Sequence, residues 1–191
     1  MEERQVTLGE KSFVLEAPFM VLATQNPIEQ EGTYHLPEAQ LDRFLLKTLI
    51  EYPNAEEEIS IMKRRYERKQ VDIQKILSKK EIAEIQKHVE KVHVSESIYT
   101  YVRDIVFTTR HDMQFKKWIT YGASPRASLA LVQCSQIVAF LAGRDFVTPE
   151  DIQEIAYGVL RHRIVLSYEA LADDITADIL IQKILAQTSI V

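Results

Sequence analysis

Apolar and polar residues alternate at the start of the chain and change to helical spacing after residue 53. Val6 and Leu8 precede Gly9-Glu10, and Phe13 and Leu15 follow; alternation around a glycine turn predicts a β-hairpin. Phe19-Met20-Val21-Leu22-Ala23 is a continuous apolar run that stops at Thr24-Gln25-Asn26-Pro27, and Leu45 to Ile50 is a second. Short unbroken runs of this kind suit strands buried on both faces. Between them, Pro37 to Phe44 (PEAQLDRF) reads as a short helix with proline in its first turn.

The character changes at Tyr52-Pro53-Asn54, where a domain boundary is expected, dividing the chain into residues 1–52 and 53–191. Everything beyond reads as helical. Asn54 with Glu57, and Ser78 with Glu81, have capping-box spacing. Ile82, Ile85, Val89 and Val92 form one apolar stripe, and Ile98, Val102 and Ile105 another. Thr148-Pro149 with Asp151 starts a helix that carries Ile152, Ile155 and Val159, and Ala177, Leu180, Ile181, Ile184 and Leu185 mark the last one. Ser124-Pro125 opens a helix that is apolar nearly all round, from Leu129 to Leu141, and is expected to be the centre of a bundle.

Composition narrows the classes without choosing among them. The 191 residues are 46% hydrophobic and 27% charged, as in an ordinary globular chain. No stretch approaches the roughly 20 apolar residues that span a bilayer, and Met1 to Arg4 does not open a signal peptide. The single cysteine, Cys134, excludes an intrachain disulfide and fits a cytoplasmic location. A net charge of −5 argues against a duplex-binding module.

Gly9-Glu10-Lys11-Ser12 resembles the end of a phosphate-binding loop but fails its pattern, because Glu10 separates Gly from Lys and no helix signal follows. No apolar strand ends in Asp-Glu to hold Mg²⁺. This chain alone is therefore not expected to hydrolyse ATP. The histidines, His35, His88, His93, His111 and His162, lack metal-site spacing, so no metal site is expected, and Cys134 lies in an apolar helix as a core residue.

Three polar positions stand out. Asn26 follows an apolar run, where an amide at a strand end can orient a water or a phosphate; a turn-forming Asn before Pro27 is the alternative. Arg43 ends the short helix and can reach across a subunit interface to a phosphate; a surface ion pair with Asp42 or Glu38 is the alternative. Arg126 is the second residue of the Ser124-Pro125 helix, whose free N–H groups and dipole favour an anion. A cation placed there calls for an anionic partner.

Phe19 to Lys47 (FMVLATQNPIEQEGTYHLPEAQLDRFLLK) closely resembles the sensor-1 to arginine-finger segment of MoxR-family AAA+ ATPases. Gly122-Ala123-Ser124-Pro125-Arg126-Ala127 resembles the family's sensor-2 motif, and Leu160-Arg161-His162-Arg163-Ile164 its next helix end. The likeness covers nearly the whole chain; the magnesium-chelatase ATPase subunit is similar but matches less well. One departure is His35, where the family has proline. The family's Walker A and Walker B segments precede the first residue here, so Met1 corresponds to an internal position.

The resemblance implies a fold class: an α+β fragment of a P-loop AAA+ α/β core (residues 1–52, with the hairpin insert Val6 to Leu15) followed by an all-α helical lid domain (residues 53–191). It also implies roles: Asn26 as sensor 1, Arg43 as the arginine finger on a neighbouring subunit's ATP, and Arg126 as sensor 2. ATP and Mg²⁺ serve the intact parent, and none is expected to be bound tightly by this portion. Implied partners are further copies in a hexameric ring and a client protein, among which von Willebrand A-domain proteins are common. Two other readings are a non-enzymatic helical interaction module and a DNA-associated lid, the latter suggested by Lys63-Arg64-Arg65 with Arg68-Lys69.

Overall fold

In a computed structural model, residues 5–25, 36–67 and 73–190 are described. Strands β1 (Gln5–Leu8) and β2 (Lys11–Val14) pair antiparallel with Leu8 opposite Lys11. Gly9, at φ 62°, supplies the left-handed residue that the two-residue turn requires. Gly9-Glu10-Lys11-Ser12 is thus a hairpin turn running into a strand. Helix α1 (Glu38–Leu41) follows, started by Pro37. Then come α2 (Ala55–Tyr66), α3 (Lys79–Val89), α4 (Glu96–His111), β3 (Ile119–Tyr121), α5 (Pro125–Leu141), α6 (Pro149–Leu160), β4 (Val165–Leu166), α7 (Tyr168–Ala172) and α8 (Ala177–Gln187).

Local chemistry sets the helix starts. Every helix from α2 to α8 begins on Asn, Ser or Thr: Asn54, Ser78, Ser95, Ser124, Thr148, Ser167 and Thr176. Each such side chain can satisfy an N–H that the first turn leaves without an intrahelical acceptor. Asn54 and Ser78 close reciprocal boxes with Glu57 and Glu81. Helix α2 carries Glu56 to Glu58 in its first turn and Lys63, Arg64 and Arg65 in its last, the arrangement the helix dipole favours. That placement accounts for Lys63, Arg64 and Arg65 without a nucleic acid, while Arg68 and Lys69 lie outside the described residues.

The core is built by α4, α5, α6 and α8, with the small β3–β4 sheet packed beside α4. Helix α5 contacts α3, α4 and α6, most extensively α6, but it keeps an exposed face while α4 and α6 each also contact α8, so the central place expected of α5 falls to α4 and α6. Helix α5 buries Ala127, Ala130, Leu131, Cys134, Ser135 and Ala139, so small residues allow its neighbours a close approach. Its all-round apolar character also leaves Leu129 and Leu141 exposed.

Two strand expectations fail. Phe19 to Ala23 and Leu45 to Ile50 form no strand, and Met20, Leu22 and Ile50 are 77%, 81% and 92% exposed. A strand needs a neighbour for its ladder, and among the described residues none lies alongside either run. The second run satisfies part of its backbone in another way, through the side chains that follow α6.

Candidate functional site

Asn26 and His35 lie outside the described residues. Arg43 and Arg126 are brought to one corner of the molecule, where α1 ends and α5 begins, and Asp42 joins them.

The start of α5 is held rigidly. A Cβ on Gly122 would sit under 3.0 Å from the Thr109 carbonyl, so only glycine lets this loop approach the end of α4. Thr109 Oγ1 accepts from the Ala123 N–H at 3.0 Å and donates to the Val106 carbonyl at 2.7 Å. The Arg110 Nε–H donates to the Ala123 carbonyl at 2.6 Å. Ala123 is fully buried, Ser124 caps the helix by accepting from the Arg126 N–H at 3.2 Å, and Pro125 occupies the first helical position. Arg126 is thereby fixed at a helix N-terminus with its side chain half exposed.

The anion that this position calls for is Asp42. Its carboxylate accepts from the Ser124 hydroxyl at 2.9 and 2.8 Å, from Arg126 Nη1 at 3.4 Å and from Arg163 Nε at 3.1 Å. Asp42 is the C-cap of α1, so the next residue, the exposed Arg43, leaves the same turn. The Arg43 N–H donates to the Gln40 carbonyl at 3.2 Å.

Three consecutive side chains beyond α6 grip the segment after Asp42. Arg163 is almost fully buried and donates to the carbonyls of Asp42 (3.1 Å), Phe44 (2.6 Å), Leu45 (3.1 Å) and Val159 (2.5 Å). Burial pulls its guanidinium below the ordinary value, and the facing Asp42 opposes that pull. His162 Nε2 lies 2.9 Å from the Phe44 carbonyl, and burial first, then Arg163 and Lys47, hold this imidazole down to about 4. It is therefore a neutral donor at pH 7. Arg161 forks onto Asp178 with two bonds of 2.8 Å and reaches the Lys47 carbonyl at 3.1 Å. The Lys47 N–H in turn donates to the Gly158 carbonyl at 2.8 Å.

Residues 1–46 match the family model described as "ATPase family associated with various cellular activities (AAA)", and residues 114–184 match the one described as "AAA lid domain". Chaperone MoxR1 of Mycobacterium tuberculosis (strain ATCC 25618 / H37Rv) is 43% identical over 190 residues, covering 97% of this chain and 50% of that protein. This chain belongs to the MoxR family of AAA+ ATPases. Protein YeaC of Bacillus subtilis (strain 168), whose name records no characterised role, is 38% identical over 100% of this chain and 58% of its own length. A crystal structure from Cytophaga hutchinsonii, of a protein classed by its name with the ATPases, superposes with a TM-score of 0.90 at 44% identity, over 100% of this chain and 59% of that one. The chain thus spans about half the length of the MoxR-family relatives it matches.

Sequence reasoning singled out Arg43 and Arg126 but not the residues that join them. Asp42 entered only as a possible partner for Arg43, and Arg161-His162-Arg163 only as part of a MoxR-family resemblance. A legible signal was present: two arginines flanking a histidine just past an apolar helix need acceptors, and a segment lacking a strand partner needs donors.

Proposed function

We propose that this chain is the sensing half of a MoxR-type ATPase, with Arg126 as sensor 2 toward its own subunit's nucleotide and Arg43 as an arginine finger toward a neighbour's. The observation that carries the reading is Arg126 itself, half exposed at the N-terminus of a 17-residue helix and opposite an anion. ATP with Mg²⁺ is the substrate the family implies, and the α5 corner fits the phosphate end of it. A half-exposed ion pair of 3.4 Å is worth about 0–1 kcal/mol, so the pairing with Asp42 is by itself a weak competitor for a triphosphate. Arg43, exposed on a turn at the α1 end, can place its guanidinium where charge develops on transferring phosphoryl oxygens, an effect of about 10³–10⁵ in rate. Asn26 would orient the attacking water as sensor 1.

The intact protein would act in the cytoplasm as a ring, with hexameric closure expected, and would remodel client proteins such as those with von Willebrand A domains. We divide the chain at 52/53 into a core remnant and a lid. The exposed Met20, Leu22 and Ile50 suit faces that the rest of a core or a neighbour covers. In the full-length ATPase, Arg43→Ala should retain ATP binding and lose turnover, measured by nucleotide affinity beside steady-state hydrolysis. Normal turnover in that variant would remove Arg43 from the mechanism.

A further inference from the structure

We infer that Arg163 is a positioning residue for Arg43: from beyond α6 it grips the backbone on both sides of Arg43 and sets where that side chain stands. The inference rests on the reading of Arg43 as a finger acting on a neighbouring subunit. Arg163 has one acceptor in the helix it follows, the Val159 carbonyl of α6, and its other acceptors all lie on residues 42–45. Its Nη2 group alone takes the carbonyls of Asp42 and Phe44, the two residues flanking Arg43. Its Nε–H holds the Asp42 side chain. Two converging carbonyls and a carboxylate on one planar fork leave the intervening residue little backbone freedom. A lysine offers donors from a single point and cannot span these acceptors.

The same carboxylate ties this grip to the start of α5. Asp42 accepts from Arg163 and also from Ser124 and Arg126. A displacement of Arg126 toward a nucleotide therefore acts on the turn that carries Arg43. This gives a route, within one subunit, from the state of its own site to the finger it offers its neighbour.

The test is a subunit-mixing experiment in the full-length ATPase. Arg163→Lys alone should lose about 10²-fold in turnover, the scale of an ångström-level misplacement, while ATP-analogue affinity stays within about twofold. Mixed with subunits whose phosphate-loop lysine is replaced, inactive alone but carrying an intact Arg43, it should regain activity, because its own site is then served by a sound finger. A lid that is merely damaged gains nothing from mixing. Arg43→Ala in the same mixture is the reference. Failure to rescue Arg43→Ala overturns the finger reading beneath the inference. Rescue of Arg43→Ala without rescue of Arg163→Lys overturns the positioning role alone, as does full turnover of Arg163→Lys by itself. If Arg163→Lys does not fold, Asp42→Asn, which keeps the volume and an acceptor for Ser124, takes its place under the same criteria. Failure of both to fold makes the network a structural lock and overturns the assignment.

Discussion

His162 makes the stability of this chain depend on pH in a way that can be worked through atom by atom. Its Nε2 faces the Phe44 carbonyl at 2.9 Å, so the neutral ring donates there and leaves Nδ1 as a bare acceptor. Nδ1 is buried and has no hydrogen-bond partner among the described residues. Protonation would place an N–H at that atom with nothing to receive it, beside the Arg163 and Lys47 charges. Burial leads these causes and lowers the pKa from 6.5 to about 4. The unfolded chain therefore takes up the proton first. Stability contributed by the neutral ring is whole above pH 6.5 and drains away as the pH falls toward 4.

At about 1.4 kcal/mol per pH unit the full window amounts to about 3 kcal/mol, and relaxation of the surroundings around the protonated ring cuts this to about half. Between pH 7 and pH 5, where the window is only partly crossed, the expected loss is about 1 kcal/mol. Trp118, the single tryptophan, packs against the core and provides the fluorescence signal for urea unfolding at the two pH values. His162→Gln is the control, since its amide still reaches toward the Phe44 carbonyl but does not titrate. Wild type should lose about 1 kcal/mol more than this variant on acidification. Equal losses in the two proteins would refute the argument.

Two further predictions concern the lid interior. Gly122→Ala should lower stability by about 1–3 kcal/mol in thermal melts, because a Cβ there meets backbone rather than a yielding side chain; an unchanged melting temperature would mean that the loop relaxes freely. Burial pushes the Cys134 thiol up to about 11, with Arg163 pulling the other way, so an aromatic disulfide reagent at pH 8 should leave the folded chain unlabelled and react fully in urea. Rapid labelling of the folded chain would contradict the burial.

Local features of this fold are legible in the amino-acid sequence because their causes lie within a few residues. Asn54 and Ser78 cap α2 and α3 through bonds three residues long, and Gly9 makes the hairpin turn with its own φ. The place of α5 is not legible in this way, because its apolar residues run nearly all round and yet Leu129 and Leu141 stand exposed. The apolar runs Phe19–Ala23 and Leu45–Ile50 were misread as strands because a strand is defined by a partner, which a run of side chains cannot reveal. In the second run Arg163 and Arg161 supply donors that a ladder would otherwise provide, to the carbonyls of Leu45 and Lys47, and His162 does the same for the preceding Phe44. The anion opposite Arg126 was foreseeable in kind, since a cation at a helix N-terminus asks for one. Its identity was not, because Asp42 lies 84 residues away from Arg126 and 121 from Arg163. By itself, then, the sequence determined the helix starts, the hairpin and the demand for an anion, all set by short-range hydrogen bonding and periodicity. Only tertiary structure decided that one carboxylate would meet that demand while also anchoring the turn of Arg43, because the convergence comes from how α1, α5 and the end of α6 pack together.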